Sequence, residues 1–406
     1  MDSDYLSDWL AYINSNRPNE DEFGLARLQG IFSKIVTKPL ASKTIMIGGT
    51  NGKGTTAEYL KNFLINAGYK VGLYTSPHLI DFNERIQING KNIEEKERIS
   101  VGSFPTEIEG PHGITVDPNG KYWYVTLAHG NPFGKLIKYS TETNKVVGET
   151  TLGLFPASMQ ISKVTGFLYC VNFNLHGNMK PSSVSVVDAE TMTEITQITT
   201  GSMPHGSRIS SDGLKQYSVA MMSGELFEID ALSLKISRKL DLEDHSKMNH
   251  DKMNMGKMKH STVKPTWVIP HPTQKKLYVA GNGSDEIIEV NLDSWKITKR
   301  IKTEKGPYNV EISPDGKYMV ATMKSVAKTS VWDLKSGTLI KTFDNSTSVS
   351  HGVAISSDSK YAFISLEGIG GEPGIVDVID LKNQVLVDKV EIGKQAGGIA
   401  FWKKEI

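Results

Sequence analysis

The sequence predicts a mainly β chain: a β-propeller of six full repeats and a partial seventh, preceded by a truncated α/β fragment with a phosphate-loop pattern. Three observations carry this. Short β-prone runs recur at near-constant spacing through the larger, carboxy-terminal part, crossing turns such as "DPNG", "SSDG" and "SPDG". The segment "IGGTNGKGTT", residues 47–56, stands between a β-prone run and a helical one. No apolar stretch approaches the length that spans a bilayer, so no membrane span is expected.

Composition frames the rest. A chain of 406 residues with 38% apolar content can bury two or three cores, and a net charge of +1 gives no electrostatic reason to expect nucleic acid. The single cysteine, Cys170, excludes an intramolecular disulfide and a cysteine zinc cluster. The opening "MDSDYLSDWLAYINSNRP" carries acidic residues where a secretory signal would be basic, so the chain as written is expected in the cytoplasm.

Taken in order, Leu6, Trp9, Leu10 and Ile13 follow helical spacing. Residues 44–47 form a short strand-like run before Gly48 and Gly49. After the glycine loop, Ala57, Leu60, Leu64 and Ala67 recur three and four apart, and Gly68 reads as the helix stop. "YKVGLYTSP" restarts as a strand. The resulting βαβ unit points a helix N-terminus at an anion site. Gly49 and Gly52 would let the backbone approach phosphate, Lys53 would place a charge there, and Thr55 or Thr56 would offer a hydroxyl to magnesium. Gly54 separates the lysine from the hydroxyl, a departure from the general phosphate-loop pattern, and a plain glycine turn with a surface lysine fits the spacing equally well.

"GGTNGKGTT", "AGYKVGLYTSPHLIDFNERIQING" at 67–90 and "FGLARLQGIF" at 23–32 resemble the amino-terminal part of folylpolyglutamate and dihydrofolate synthases, members of the Mur-ligase superfamily. The resemblance spans roughly residues 4–98, which sets the expected boundary between a fragment at 1–98 and the repeats at 99–406. It implies that Gly49, Thr50, Asn51, Gly52, Lys53, Gly54, Thr55 and Ser76 take ATP, with Lys53 on the phosphates and Thr55 and Ser76 near Mg2+. It also implies that Pro77, His78, Leu79 and Phe82 lie near folate. That reaction joins an amine to an acyl phosphate and needs further metal ligands and an amino-acid-binding domain, which this resemblance does not reach.

The repeats begin at "PHGITVDPNGKYWYVT" (111), "PASMQISKVTGFLYCV" (156), "PHGSRISSDGLKQYSV" (204), "PTWVIPHPTQKKLYVA" (265), "PYNVEISPDGKYMVAT" (307) and "SHGVAISSDSKYAFIS" (350), with a last "AGGIAF" (396). Starts are separated by 45, 48, 61, 42, 43 and 46 residues. Four strand signals per period mark a propeller blade, which buries its faces only against neighbours. These units resemble the YVTN family of bacterial seven-bladed propellers, related in fold to those of cytochrome d1 and nitrous oxide reductase. That resemblance implies a scaffold and, for the parent propeller, a periplasmic or cell-surface location.

The expectation is therefore a fusion in which the ligase has lost its carboxy-terminal three-quarters and the propeller its first blade, together with any export signal. The hairpin-like "ERIQINGKNIEE", with Asn89-Gly90 as its turn, is a candidate to fill part of the missing blade. The long spacing of 61 comes from "DHSKMNHDKMNMGKMKHS", residues 244–261. There His245, Met248, His250, Met253, Met255, Met258 and His260 offer thioethers and imidazoles, a set that suits Cu(I), although the same composition also suits a polar loop. His112, His205 and His351 share one repeat position at the expected channel rim, where three imidazoles would bind a metal or an anionic ligand, although repeat descent that copies a histidine packed in the turn explains the coincidence more simply. Arg208, Trp267 and Glu311 fall on the same inner strands. Two functions follow. One is a non-catalytic propeller that binds an unidentified protein or small molecule, with possible copper association and a ligase remnant. The other is an ATP-dependent folate ligase with a propeller appendage.

Overall fold

The structure of the chain, a computed structural model, describes residues 53–68, 71–74, 86–88, 97–101, 110–129, 133–177, 179–244 and 260–403. The chain divides into two compact units, Met1–Asn92 and Ile93–Ile406.

In the first unit, α1 (Lys53–Asn66) begins at the lysine of the glycine loop. Gly68 ends it at φ +84°, a left-handed conformation that costs glycine little, and its amide bonds the Ile65 carbonyl at 2.9 Å. β1 (Gly72–Tyr74) follows where the sequence restarts as a strand, and pairs antiparallel with β2 (Ile86–Ile88). β2 is half of the hairpin expected around Asn89-Gly90. Its described partner is β1, so this strand belongs to the first unit's sheet; the other half of that hairpin lies outside the described residues. The opening helix and the 44–47 strand also lie outside them.

The second unit contains six four-stranded antiparallel sheets, each with its strands in sequential order, as the six full repeats predict. Inner strands are Pro111–Val116, Pro156–Ile161, Pro204–Ile209, Pro265–Pro270, Pro307–Ile312 and Ser350–Ile355, defining blades 1 to 6. The turn residues explain the regularity. Asp188, Asp230 and Asp380 each accept two backbone N–H groups from the turn between the third and fourth strands. Ser313 and Ser356 play the matching part between the first and second. The outer strands, such as "KISRKLD" and "KITKRIK", put charged side chains on the exposed edge, which discourages pairing with other chains.

The core lies between blades. One apolar cluster forms at each junction from blade 1 to blade 6; Leu226, Leu277 and Ile288, for example, are fully buried between blades 3 and 4. Each such side chain contributes about 1.5–3 kcal/mol, so adjacent sheets are the units of stability.

Second-strand hydroxyls clip the inner strands together. Thr126 Oγ1 accepts from Gly113 N at 2.8 Å and donates to Ala157 O of the next blade at 3.3 Å. Thr322 Oγ1 does the same between Asn309 N and His351 O, and Ser365 Oγ between Gly352 N and Gly397 O. Gly397 thus holds the repeat position of Ala157 and His351. A Cβ on Gly398 would sit 2.6 Å from His112 O, just as one on Gly206 would sit 2.5 Å from Thr266 O, so this segment also abuts blade 1. The residue before each of these starts has a left-handed backbone at Phe155, Met203, Lys264, Gly306, Val349 and, in the last segment, Gln395. The partial seventh repeat therefore occupies a seventh inner position and closes the ring, although residues 396–403 form no strand. Phe401 stacks on Phe363 of blade 6, and Trp402 Nε1 donates to Gly120 O of blade 1 at 2.9 Å. Ile99 and Val101 pack on Val125, Leu127, Ile137 and Tyr139, the face blade 1 turns away from blade 2.

Candidate functional site at the channel mouth

The second residue of each inner start holds an equivalent place; around the ring these are His112, Ala157, His205, Thr266, Tyr308, His351 and Gly397, and of them His112, His205 and His351 line one cavity. The structure brings together the three histidines that the repeat singled out: the His112 ring centre lies 6.5 Å from that of His205 and 6.2 Å from that of His351.

His205 has a fixed tautomer. Its Nδ1 lies 2.7 Å from Thr266 O, which can only accept, so Nδ1 carries the proton and Nε2 accepts from the Tyr308 hydroxyl at 2.8 Å. Tyr308 is half-buried and also stands 4.7 Å, ring to ring, from His351. His351 Nε2 lies 3.4 Å from Glu367 Oε1, which also pairs with Lys324 Nζ at 3.2 Å; that ammonium sits 4.2 Å from the Tyr308 ring centre. Tyr308, Lys324 and Glu367 are site residues that the histidine search missed. Tyr308 was findable, because it holds the same repeat position.

Burial, first, and the neighbouring Lys324 charge hold these imidazoles neutral. Desolvation followed by the His205 and Lys324 charges pushes His112 down to about 3. His205 falls to about 4, and His351 lies well below the usual histidine range, burial being the largest cause in both. Neutral rings offer lone pairs and N–H groups together. A cavity of about 40 Å3 opens among them, enough for a few waters or a small polar ligand. Two buried polar atoms on its lining lack a partner among the described residues: Asn309 Oδ1 and Trp267 Nε1. Unmatched buried groups of this kind call for an occupant.

Three residues along the inner strands, about 10 Å deeper, Arg208 Nε donates to Glu311 Oε1 at 2.9 Å, with Nη2 on the same oxygen. The guanidinium lies over the Trp267 ring at 4.5 Å, so Arg208, Trp267 and Glu311 form one group. Among the described residues, no set of three or more His, Cys, Asp or Glu side chains is placed to hold a metal ion. The mouth as it stands offers hydrogen bonds and lone pairs rather than a closed coordination shell.

The connection carrying the methionine- and histidine-rich tract joins the outer strand of blade 3 to the inner strand of blade 4, so it leaves and returns on the mouth side. Glu243 Oε1 accepts from Ser261 Oγ at 2.6 Å and from Thr262 N at 3.0 Å, fastening the two ends. His260 is exposed, whereas His245, Met248, His250, Met253, Met255 and Met258 lie outside the described residues. So do Gly49, Thr50, Asn51, Gly52, Ser76, Pro77, His78, Leu79 and Phe82; Lys53, Gly54 and Thr55 form the first turn of α1. No described helix is long and apolar enough to cross a membrane.

Comparison with known proteins relates different parts of the chain to different proteins. No family model matches it. A dihydrofolate synthase/folylpolyglutamate synthase of Buchnera aphidicola is 44% identical over 94 residues, covering 23% of this chain and 22% of that protein. The Escherichia coli enzyme of the same description is 38% identical over 109 residues, 27% of this chain and 25% of that one. This chain spans about a quarter of the length of these curated relatives. Among solved structures, hydrazine synthase of Kuenenia stuttgartiensis superposes with a TM-score of 0.59 at 21% identity, covering 75% of this chain and 93% of that one. The chain thus joins a segment similar to part of a folate ligase to a six-bladed propeller whose fold is that of the hydrazine synthase chain.

Proposed function

We propose that the chain is a non-catalytic binding propeller of the YVTN type whose ligand site is the channel mouth, and that the 244–261 tract captures Cu(I) beside it. The observation that carries this reading is the gathering of imidazoles on one face. His112, His129, His176, His205 and His351 gather on one side of the propeller, and the described ends of the tract, Glu243 with Ser261 and Thr262, are fastened together on that side. Neutral imidazoles with thioethers favour Cu(I) over harder ions. Cu(I) affinity, measured by chelator competition on the full chain and on a variant lacking 245–259, should fall at least tenfold in the variant while its unfolding midpoint stays unchanged. Equal affinity would dismiss the copper role.

The similarity at 34–44% identity to folate ligases supports a second reading for the first unit. We infer that it retains affinity for Mg-ATP, with Lys53 on the phosphates and Thr55 and Ser76 near the metal, without ligase turnover. Mg-ATP should protect residues 1–92 from limited proteolysis, and Lys53→Ala should remove the protection. Amide formation from ATP, folate and glutamate that depends on Lys53 would instead establish a working ligase.

A further inference from the structure

A second pair of histidines stands beside the mouth, apart from the three that share the repeat position. His129 follows the second strand of blade 1 and His176 the second strand of blade 2. Their ring centres lie 5.5 Å apart with the planes at 38°. His129 is half-buried and His176 is exposed, and neither makes a hydrogen bond to another described residue.

One side chain orients them. Phe155 packs edge-on against His129 at 4.6 Å and against His176 at 5.7 Å, while also meeting His112 at 5.2 Å. It is itself buried, stands against Phe173, and its carbonyl accepts from Phe173 N at 2.8 Å. The phenyl is thus a fixed wedge that limits how each imidazole can turn.

The spacing has a chemical reading. With a metal–nitrogen bond of about 2 Å and about 1.2 Å from nitrogen to ring centre, two imidazoles on one ion have centres about 5.2 Å apart in tetrahedral geometry and about 6.4 Å apart in linear geometry. At 5.5 Å the 129–176 pair falls near the tetrahedral value, whereas His112 with His205 or His351 falls near the linear one. We propose that His129 and His176 form a two-imidazole site for a borderline divalent ion such as Zn2+, with water completing the shell. This pair is separate in sequence from the 244–261 tract, whose own imidazoles also suit Zn2+, so the chain lacking 245–259 is needed to tell the two apart.

The test is calorimetric titration of the full chain with Zn2+ alone at pH 7.5, against His129→Ala, His176→Ala, the double variant and the chain lacking 245–259. Each single variant should lose at least tenfold in affinity for one Zn2+, the double variant should lose that binding event, and the shortened chain should keep it. Phe155→Leu, which removes the wedge but preserves an apolar filling, should weaken Zn2+ about threefold or more at an unchanged unfolding midpoint. Zn2+ binding that survives in the double variant, or that vanishes only with 245–259, overturns the assignment.

Discussion

If residues 396–402 truly complete the inner ring, the clip made by Ser365 should matter as much as those made within complete blades. Ser365→Ala removes one oxygen that accepts from the buried Gly352 amide at 2.9 Å and donates to Gly397 O at 2.5 Å. Each of the two lost hydrogen bonds is worth about 1 kcal/mol net, and leaving the Gly352 amide without an acceptor adds about 1–3 kcal/mol, for a total of about 3–5 kcal/mol. In a chain of this size about 2 °C of midpoint is lost per kcal/mol, so the expected drop is about 6–10 °C. The internal standard is Thr322→Val, which deletes the equivalent pair, Asn309 N at 3.1 Å and His351 O at 2.9 Å, with no change of shape. Scanning calorimetry of the two variants should give drops that agree within about 2 °C, since the same two bonds are lost in each. A full drop for Thr322→Val with less than about 1 °C for Ser365→Ala would show that the seventh position is unoccupied in solution, and the ring-closure argument would fail.

Two further outcomes follow. His205 is depressed to about 4 in the folded state, so between that value and the ordinary 6.5 the unfolded chain binds the extra proton; stability should be complete above about pH 6.5 and decline as pH falls toward 4, by on the order of 3 kcal/mol from this residue. Urea midpoints at pH 7.5 and 4.5 should show a smaller difference in His205→Gln than in the parent. Val349 holds a β-branched side chain at φ +61°, where glycine is relieved of strain of order 1 kcal/mol; Val349→Gly should raise the unfolding midpoint or leave it level, and a drop of more than about 2 kcal/mol would mean its side chain packs more than its backbone strains.

What the sequence disclosed followed from periodicity. Turn residues at fixed offsets marked all six blades, and three histidines at one offset marked the mouth, because a repeat copies both geometry and position. Tyr308 occupies that offset too but escaped a search keyed to imidazole. Lys324 and Glu367 escaped for a different reason: they sit in connections after the second strand, whose lengths vary from blade to blade, so no period points at them. His129 and His176 are displaced in the same way, and only the folded rings bring them together across Phe155. Of the hairpin expected around Asn89-Gly90 the described part is its first strand, in which Ile86, Gln87 and Ile88 pair with Tyr74, Leu73 and Gly72; its turn and return strand lie outside the described residues.

The seam of the propeller has a practical meaning. Residues 97–101 and 396–403 reach the same gap, with Glu97 bonded to Asn144 at 2.5 Å and Trp402 bonded to Gly120 in the neighbouring turn of blade 1. The polypeptide of the propeller is in effect a circle opened at one point. A circular permutant that joins 403 to 97 through a short linker and opens instead at the blade 5 outer turn, near Lys335, would keep every clip intact while moving the free ends away from the seam.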